Sequence, residues 1–91
     1  MRAQHAKFEL GQIVITPAAS AALEASGLSV DELLAQHQAG DWGDVSDQVR
    51  MVNERGLAES FNVQSAYQVA SGERLVIVTN RDRTLTMIHA E

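Results

Sequence analysis

The sequence predicts an α+β domain, a four-stranded, mainly antiparallel sheet with three short helices packed on one face, in the order β-α-α-α-β-β-β. Three observations carry that prediction. The middle of the chain sets apolar residues at helical spacing between capping residues and glycines. The last third alternates in period two and is broken by two turns. Near the start, a run rich in β-branched residues ends at the one proline of the chain.

The elements follow in order. Residues 8–16 read as the first strand, with Gly11 marking a bulge or a close backbone approach. Thr16 is placed to cap a helix and Pro17 suits its first position. That helix runs through the alanines to Ala25 and stops at Gly27, a residue type that tolerates the left-handed turn past a helix end. Ser29 and Glu32 have capping-box spacing for a second helix. Val30, Leu33, Leu34 and His37 share one of its faces, and Gly40 ends it. Residues 41–44 form a turn, after which Asp44 or Ser46 caps a third helix over about 47–55. Val49 and Val52 give it an apolar stripe, Gly56 stops or weakens it, and residues 57–60 allow one more turn. Val63, Ser65, Tyr67 and Val69 then point to one side of a strand. Ser71 and Gly72 turn the chain into residues 74–79, whose apolar run suits a central strand. Residues 80–83 make the next turn and 84–89 the last strand. The last three strands form a meander, with the first strand joining at an edge.

Ninety-one residues fit one domain, 1–91, with 1–6 as a loose N-terminal segment. So short a chain buries a thin core, which favours a surface groove or an interface over a deep cavity. With no cysteine, disulfides, thiolate metal sites and thiol catalysis are excluded, and a reducing, cytoplasmic setting is expected. No stretch approaches the roughly 20 apolar residues of a membrane span, and the start has no apolar leader core. The net charge of −5 repels phosphate backbones on average, so nucleic acid is not expected as a direct ligand. Arg74, Arg81 and Arg83 are the candidates for a local basic patch. An acidic surface suits solubility, or a basic protein partner that it engages by resembling nucleic acid.

Several pieces occur together: Leu10-Gly11-Gln12-Ile13-Val14, Thr16-Pro17-Ala18, His37 followed by Gly40-Asp41-Trp42-Gly43, Ser65-Ala66-Tyr67, and Thr79 with Asp82-Arg83 and Thr86. Over residues 8–88 they make the chain resemble a family of small bacterial "plasmid-related" proteins. Some of these carry the label type I restriction endonuclease subunit M, a label that fits gene neighbourhood. The resemblance implies bacteria and mobile elements, plasmid or phage, and no particular activity. Relatives end in an apolar-Pro-acidic-Tyr tail where this sequence has His89-Ala90-Glu91, so any cover that tail gives a sheet edge or partner site is not expected here. A methyltransferase itself would need a glycine-rich cofactor turn, and the six glycines never cluster that way.

The densest polar constellation is 37–47. His37 there suits a general acid or base beside Asp41, Asp44 or Asp47. Each residue also has an ordinary use: His37 at a helix C-terminus, Asp41 in a turn, Asp44 as a cap, Trp42 in the core. Metal binding is not expected, because the aspartates lack the calcium-loop pattern and His5, His37 and His89 lack paired spacing. Arg81, Asp82 and Arg83 occupy a turn, either as solvated charge or as a phosphate or carboxylate holder. Tyr67 and His89 are expected to share a face with that turn. Helices before a meander also resemble small ribonuclease toxins in layout, a likeness of topology alone.

The leading expectation is a non-enzymatic interaction protein without cofactor. It would bind and inhibit or modulate another protein, such as a host-defence component, in the manner of an anti-CRISPR or anti-restriction factor. Its contact residues would be Trp42, Asp41, Asp44, Tyr67, Arg81 and Arg83. A ribonuclease-toxin-like enzyme would instead use His37, Tyr67, Arg83 and His89. A homodimer paired through a sheet edge is the third expectation.

Overall fold

The structure is a computed structural model that describes residues 6–91. The expected loose segment therefore lies, but for Ala6, outside the described residues. The elements are β1 (Gln12–Ile15), α1 (Pro17–Ser26), α2 (Val30–Gln38), α3 (Asp47–Glu59), β2 (Val63–Gln68), β3 (Arg74–Thr79) and β4 (Leu85–Ala90). The strands lie in the order β1-β4-β3-β2. β2, β3 and β4 pair antiparallel, and β1 adds parallel to β4 at an edge. The fold is α+β with a mostly antiparallel sheet, as the sequence predicts.

β1 is shorter than its β-branched run. Gly11 takes φ of +68°, and a Cβ there would overlap the Thr84 carbonyl. The chain bends at this close approach, so Phe8 and Leu10 pack inward rather than extend the strand. Thr16 caps α1 by accepting from the Ala19 amide at 3.2 Å, and Gly27 closes it in the left-handed conformation. Ser29 does sit at the N-cap of α2, yet its side chain makes no capping bond. The expected capping box is absent, and Asp31 and Glu32 favour the helix start through its dipole instead.

α1 and α2 cover one face of the sheet. Ala19, Ala22, Leu33 and Leu34 meet Leu75, Ile77 and Ile88 there in one buried cluster. The pairing register places Val63, Ser65, Tyr67, Ile77, Thr79, Thr86 and Ile88 on this covered face. The same register turns Gln64, Ala66, Val76, Val78, Leu85, Met87 and His89 to the other. Tyr67 and His89 thus do not share a face, contrary to expectation. They point to opposite sides, with β3 between their strands, because 67 and 89 fall on opposite phases of the pleat.

α3 departs most from its expectation. It is capped by Ser46, whose hydroxyl accepts from the Val49 amide at 3.1 Å, and it continues through Gly56 to Glu59. Gly56 is buried in the helix, where an added Cβ would come within 3.1 Å of the Val63 side chain, a tighter approach than carbons normally make. The buried α3 residues are Asn53 and Gly56, while Val52 is 51% exposed. The Val49 and Val52 stripe therefore does not enter the core. The helix docks on the outer edge of β2 through an amide: Asn53 donates to the Gln64 carbonyl at 2.7 Å and accepts from the Gln64 amide at 3.0 Å. Two residues on, Ala66 donates to the Trp42 carbonyl at 3.0 Å and accepts from the Asp44 amide at 2.6 Å. The residues expected as a plain turn thus form a short parallel bridge, Gly43 to Ala66. The outward peptide groups of Gln64 and Ala66 are satisfied, which closes this stretch of edge against another strand.

Candidate functional site

The constellation read at 37–47 is not assembled: Asp41, Asp44 and Asp47 are exposed and no carboxylate bonds His37, whose ring meets Ser65 and Thr79 inside the protein instead. His37 leaves the last turn of α2 and is 0% exposed, on the polar residues of the covered sheet face. Counting protons fixes its tautomer. The Thr86 hydroxyl donates to the Leu10 carbonyl at 2.7 Å, and so accepts from Thr79 at 2.7 Å. With its proton used, Thr79 accepts from His37 Nε2–H at 2.9 Å. His37 Nδ1 is then an acceptor, and the Ser65 hydroxyl donates to it at 2.5 Å. The chain Ser65, His37, Thr79, Thr86, Leu10 runs from β2 across α2 to the segment before β1. It leaves the imidazole neutral with both nitrogens satisfied.

Aromatic rings enclose this chain. Phe8 stands edge-on to His37 at 5.1 Å, and Trp42 does so at 5.8 Å. Trp42 is 1% exposed, and its Nε1–H donates to the Glu54 carboxylate at 2.9 Å. Burial, assisted by the Arg83 charge, lowers the His37 pKa to about 4. The Tyr67 hydroxyl donates to the Asp41 carbonyl at 2.5 Å. Burial pushes that phenol up to about 12, against the lowering effect of the nearby Ser65 hydroxyl and with help from the Asp41 charge.

Arg83 is a brace. It takes φ of +59° and donates to the carbonyls of Phe61 at 2.8 Å, Gly56 at 2.9 Å and Asn80 at 3.0 Å. Its guanidinium carbon lies 5.2 Å from the Phe8 ring centre. It ties the end of α3 to the β3–β4 hairpin. Arg81, at the tip of that hairpin, is exposed and borders a shallow groove with Val52, Phe61 and Asn62. His89 lies on the uncovered face beside Leu85 and Met87. The four residues of the enzyme reading are thus divided, with His37 and Tyr67 inside, Arg83 bound to carbonyls and His89 on the far side of the sheet. Of the contact residues expected, Trp42 and Tyr67 are buried, whereas Asp41, Asp44 and Arg81 reach solvent.

Ser65, Thr79, Thr86 and Asn53 do not stand out in the sequence as site residues. Period-two alternation carries a signal for the first three. Each puts a hydroxyl at a phase otherwise occupied by Val63, Ile77 or Ile88, and a polar side chain at an inward phase demands a buried partner.

The arrangement has a consequence for stability. The folded His37 value of about 4 lies below its ordinary 6.5. Between those pH values the unfolded chain binds a proton that the folded chain refuses. The stabilisation is therefore full above the ordinary value and is lost as pH falls towards the folded one. Urea unfolding should show a loss of about 2 kcal/mol between about pH 7.5 and pH 5, a range that ends before most carboxylates titrate. Equal stabilities at the two pH values would show that His37 is not held neutral.

A second feature lies on the surface. From residue 17 to 49 the sequence holds Glu24, Asp31, Glu32, Asp41, Asp44 and Asp47, and no lysine or arginine. All six are exposed, on the outer helix layer, on the loop leading from it to α3 and, for Asp47, at the start of α3 itself. Cations border this run rather than interrupt it: Arg50 follows Asp47 by three residues on α3, Arg74 donates to the Asp44 carbonyl at 2.8 Å, and Lys7 lies beside Gly40. Among the described residues no helix is long and apolar enough to cross a membrane, and no cluster of three or more histidine or carboxylate side chains can hold a metal. Compared with protein-family models, with curated proteins and with solved structures, the chain matches none.

Proposed function

We propose that the protein acts by contact, as a non-enzymatic binder that inhibits or modulates a basic protein partner. One observation carries this reading. The groups best suited to chemistry are occupied internally, while six carboxylates without an intervening cation face solvent from residues 17–49. Such a surface attracts a cationic partner over several ångströms and accelerates encounter. Proteins that handle nucleic acid offer the complementary basic groove. The resemblance to plasmid-related bacterial proteins supports a mobile-element setting, and in that setting we take the partner to be a host-defence component acting on foreign DNA. Asp41 and Asp44 are contact residues in this reading. Trp42 and Tyr67 serve it indirectly, by fixing the loop that carries them.

The ribonuclease reading finds less support, since an acid–base pair must touch the scissile phosphate and His37 has no exposed atom. The two readings separate in one set of measurements. Tagged wild-type protein should retain a specific basic protein from bacterial cytosol, with retention falling steeply as salt rises. The charge-reversed Asp31→Lys/Glu32→Lys/Asp44→Lys variant, with an unchanged circular dichroism spectrum, should lose it. Identical capture by both proteins, or cleavage of RNA by the purified wild type, would overturn the proposal.

A further inference from the structure

The uncovered sheet face contradicts the usual design of a two-layer domain. An antiparallel sheet with one solvated face normally alternates apolar-in and polar-out. Here the outward positions of the central strands are Val76 and Val78 on β3 and Leu85 and Met87 on β4; Val76 is already buried by its neighbours, Val78 and Leu85 are half-buried and Met87 is exposed. β3 carries four apolar residues in succession, Leu75-Val76-Ile77-Val78, the pattern of a strand buried on both sides. α1 and α2 lie on the opposite face and α3 on the β2 edge, so among the described residues no helix covers this one. Met87 is 38% exposed at its centre, and Phe61 and Val52 extend the apolar surface at 42% and 51%.

Its electrostatics differ from those of the whole chain. The shallow grooves along it are lined by apolar residues, the amides Gln48, Asn53, Asn62, Gln64 and Asn80, and the cationic or titratable Arg81 and His89. No carboxylate lines them, on a chain whose net charge is −5. Glu91, at the rim, is paired with Arg74. Two copies that bring these faces together therefore meet carboxylates only at the rim, where Arg74 pairs with Glu91 and bonds the Asp44 backbone, and Glu24, Asp31 and Glu32 of the α1 and α2 layer lie on the opposite side. The size is suitable too. A stable interface takes about 800 Å² from each partner, roughly a seventh of this chain's 5443 Å² surface. A four-stranded face of about 20 by 20 Å, with the flank of α3 beside it, supplies area of that order. Sheets stack face to face at about 10 Å with interlocking side chains.

We infer that the protein forms a two-fold homodimer through this open face, sheet against sheet, with Met87 and Val78 at its centre and the acidic surfaces outermost. The edge-paired dimer expected from sequence has less to use, since Asn53 and residues 42–44 already close the β2 edge.

Multi-angle light scattering and sedimentation of the wild-type protein should give twice the chain mass. Met87→Glu and Val78→Lys, both at outward positions, should give the single-chain mass with an unchanged circular dichroism spectrum. A conservative Met87→Leu should remain dimeric. A wild type that stays monomeric up to about 1 mM overturns the inference, as does a dimer that survives both charged substitutions, which would place the interface elsewhere. A monomer that gains mass only with a bound partner overturns it as well and assigns the face to that partner. Binding through the acidic surface is read separately by the Asp31/Glu32/Asp44 variant, so either proposal can fail while the other stands.

Discussion

Replacing His37 with alanine should destabilise the protein by about 4 kcal/mol, a cost comparable with the whole stability of a small domain. Two effects add. The ring is fully buried, so its loss leaves a cavity in a thin core, and buried large-to-small changes of this kind cost about 2–5 kcal/mol. The Ser65 hydroxyl also loses the acceptor it reaches at 2.5 Å, and an unmet buried donor costs about 1–3 kcal/mol. Thr79 suffers less, because its proton still goes to Thr86. At about 4–8 °C per kcal/mol for a domain of this size, the melting temperature should fall by roughly 15–30 °C. Trp42 is the one tryptophan and its ring centre lies 5.8 Å from that of His37, so its fluorescence follows the loss directly in a urea titration.

A companion pair separates the hydrogen bond from the cavity. His37→Leu fills most of the volume but strands Ser65. Adding Ser65→Ala removes the stranded donor, and replacing both partners of a bond by apolar groups is far cheaper than removing one. The double variant should therefore be more stable than His37→Leu alone. If it is less stable, or if His37→Ala unfolds at the wild-type urea midpoint, the buried chain of hydroxyls does not hold the fold.

Much of the architecture is legible in the sequence because local chemistry and the tertiary solution agree. Thr16, Pro17 and Gly27 bound α1 where their backbone preferences place them. The period-two run from Val63 sets β2 in the phase observed. The differences arise where a long-range contact outweighs a local preference. Gly56 reads as a stop or a weak point with room for one more turn, and it is the further turn that forms, with Val63 packed close against the glycine. Val49 and Val52 read as a core stripe, but the edge of β2 offers unpaired peptide groups, and Asn53 meets them better than valine can. The candidate site is legible as a set of residue types and not as a place. Spacing puts His37 on the face of Leu33 and Leu34, which is the buried face. Only the register of β2, β3 and β4 shows that Ser65, Thr79 and Thr86 meet it there. That the sheet is apolar on both sides is visible in β3. Its meaning emerges once the helices are seen to cover one side and an edge.

Gly43→Ala should cost about 3 kcal/mol and turn a well-behaved protein into one that aggregates. Gly43 has φ of +72°, a conformation that an alanine Cβ disfavours by about 1 kcal/mol or more. The greater cost is steric. A Cβ there would overlap the Ala66 carbonyl oxygen and lie 2.6 Å from Tyr67 Cδ1. Ala66 is the residue that exchanges two backbone hydrogen bonds with Trp42 and Asp44, so the clash falls on the bridge that closes the β2 edge. Relief requires residues 42–44 to lift away. That movement frees both Ala66 peptide groups, strains the bond from Tyr67 to the Asp41 carbonyl and draws on the burial of Trp42. An opened edge beside apolar Val63 and Val69 is a template for strand addition by another chain. The expected result is a lowered urea midpoint, red-shifted Trp42 emission and concentration-dependent growth of thioflavin-positive material near the melting temperature. Gly27→Ala is the matched control, since Gly27 has nearly the same φ of +67° but nothing within 4 Å of the added carbon. It should show the backbone penalty alone, with no gain in aggregation. If the two variants behave alike, the strand edge is not being held shut by residues 42–44, and the loss at Gly43 is only conformational.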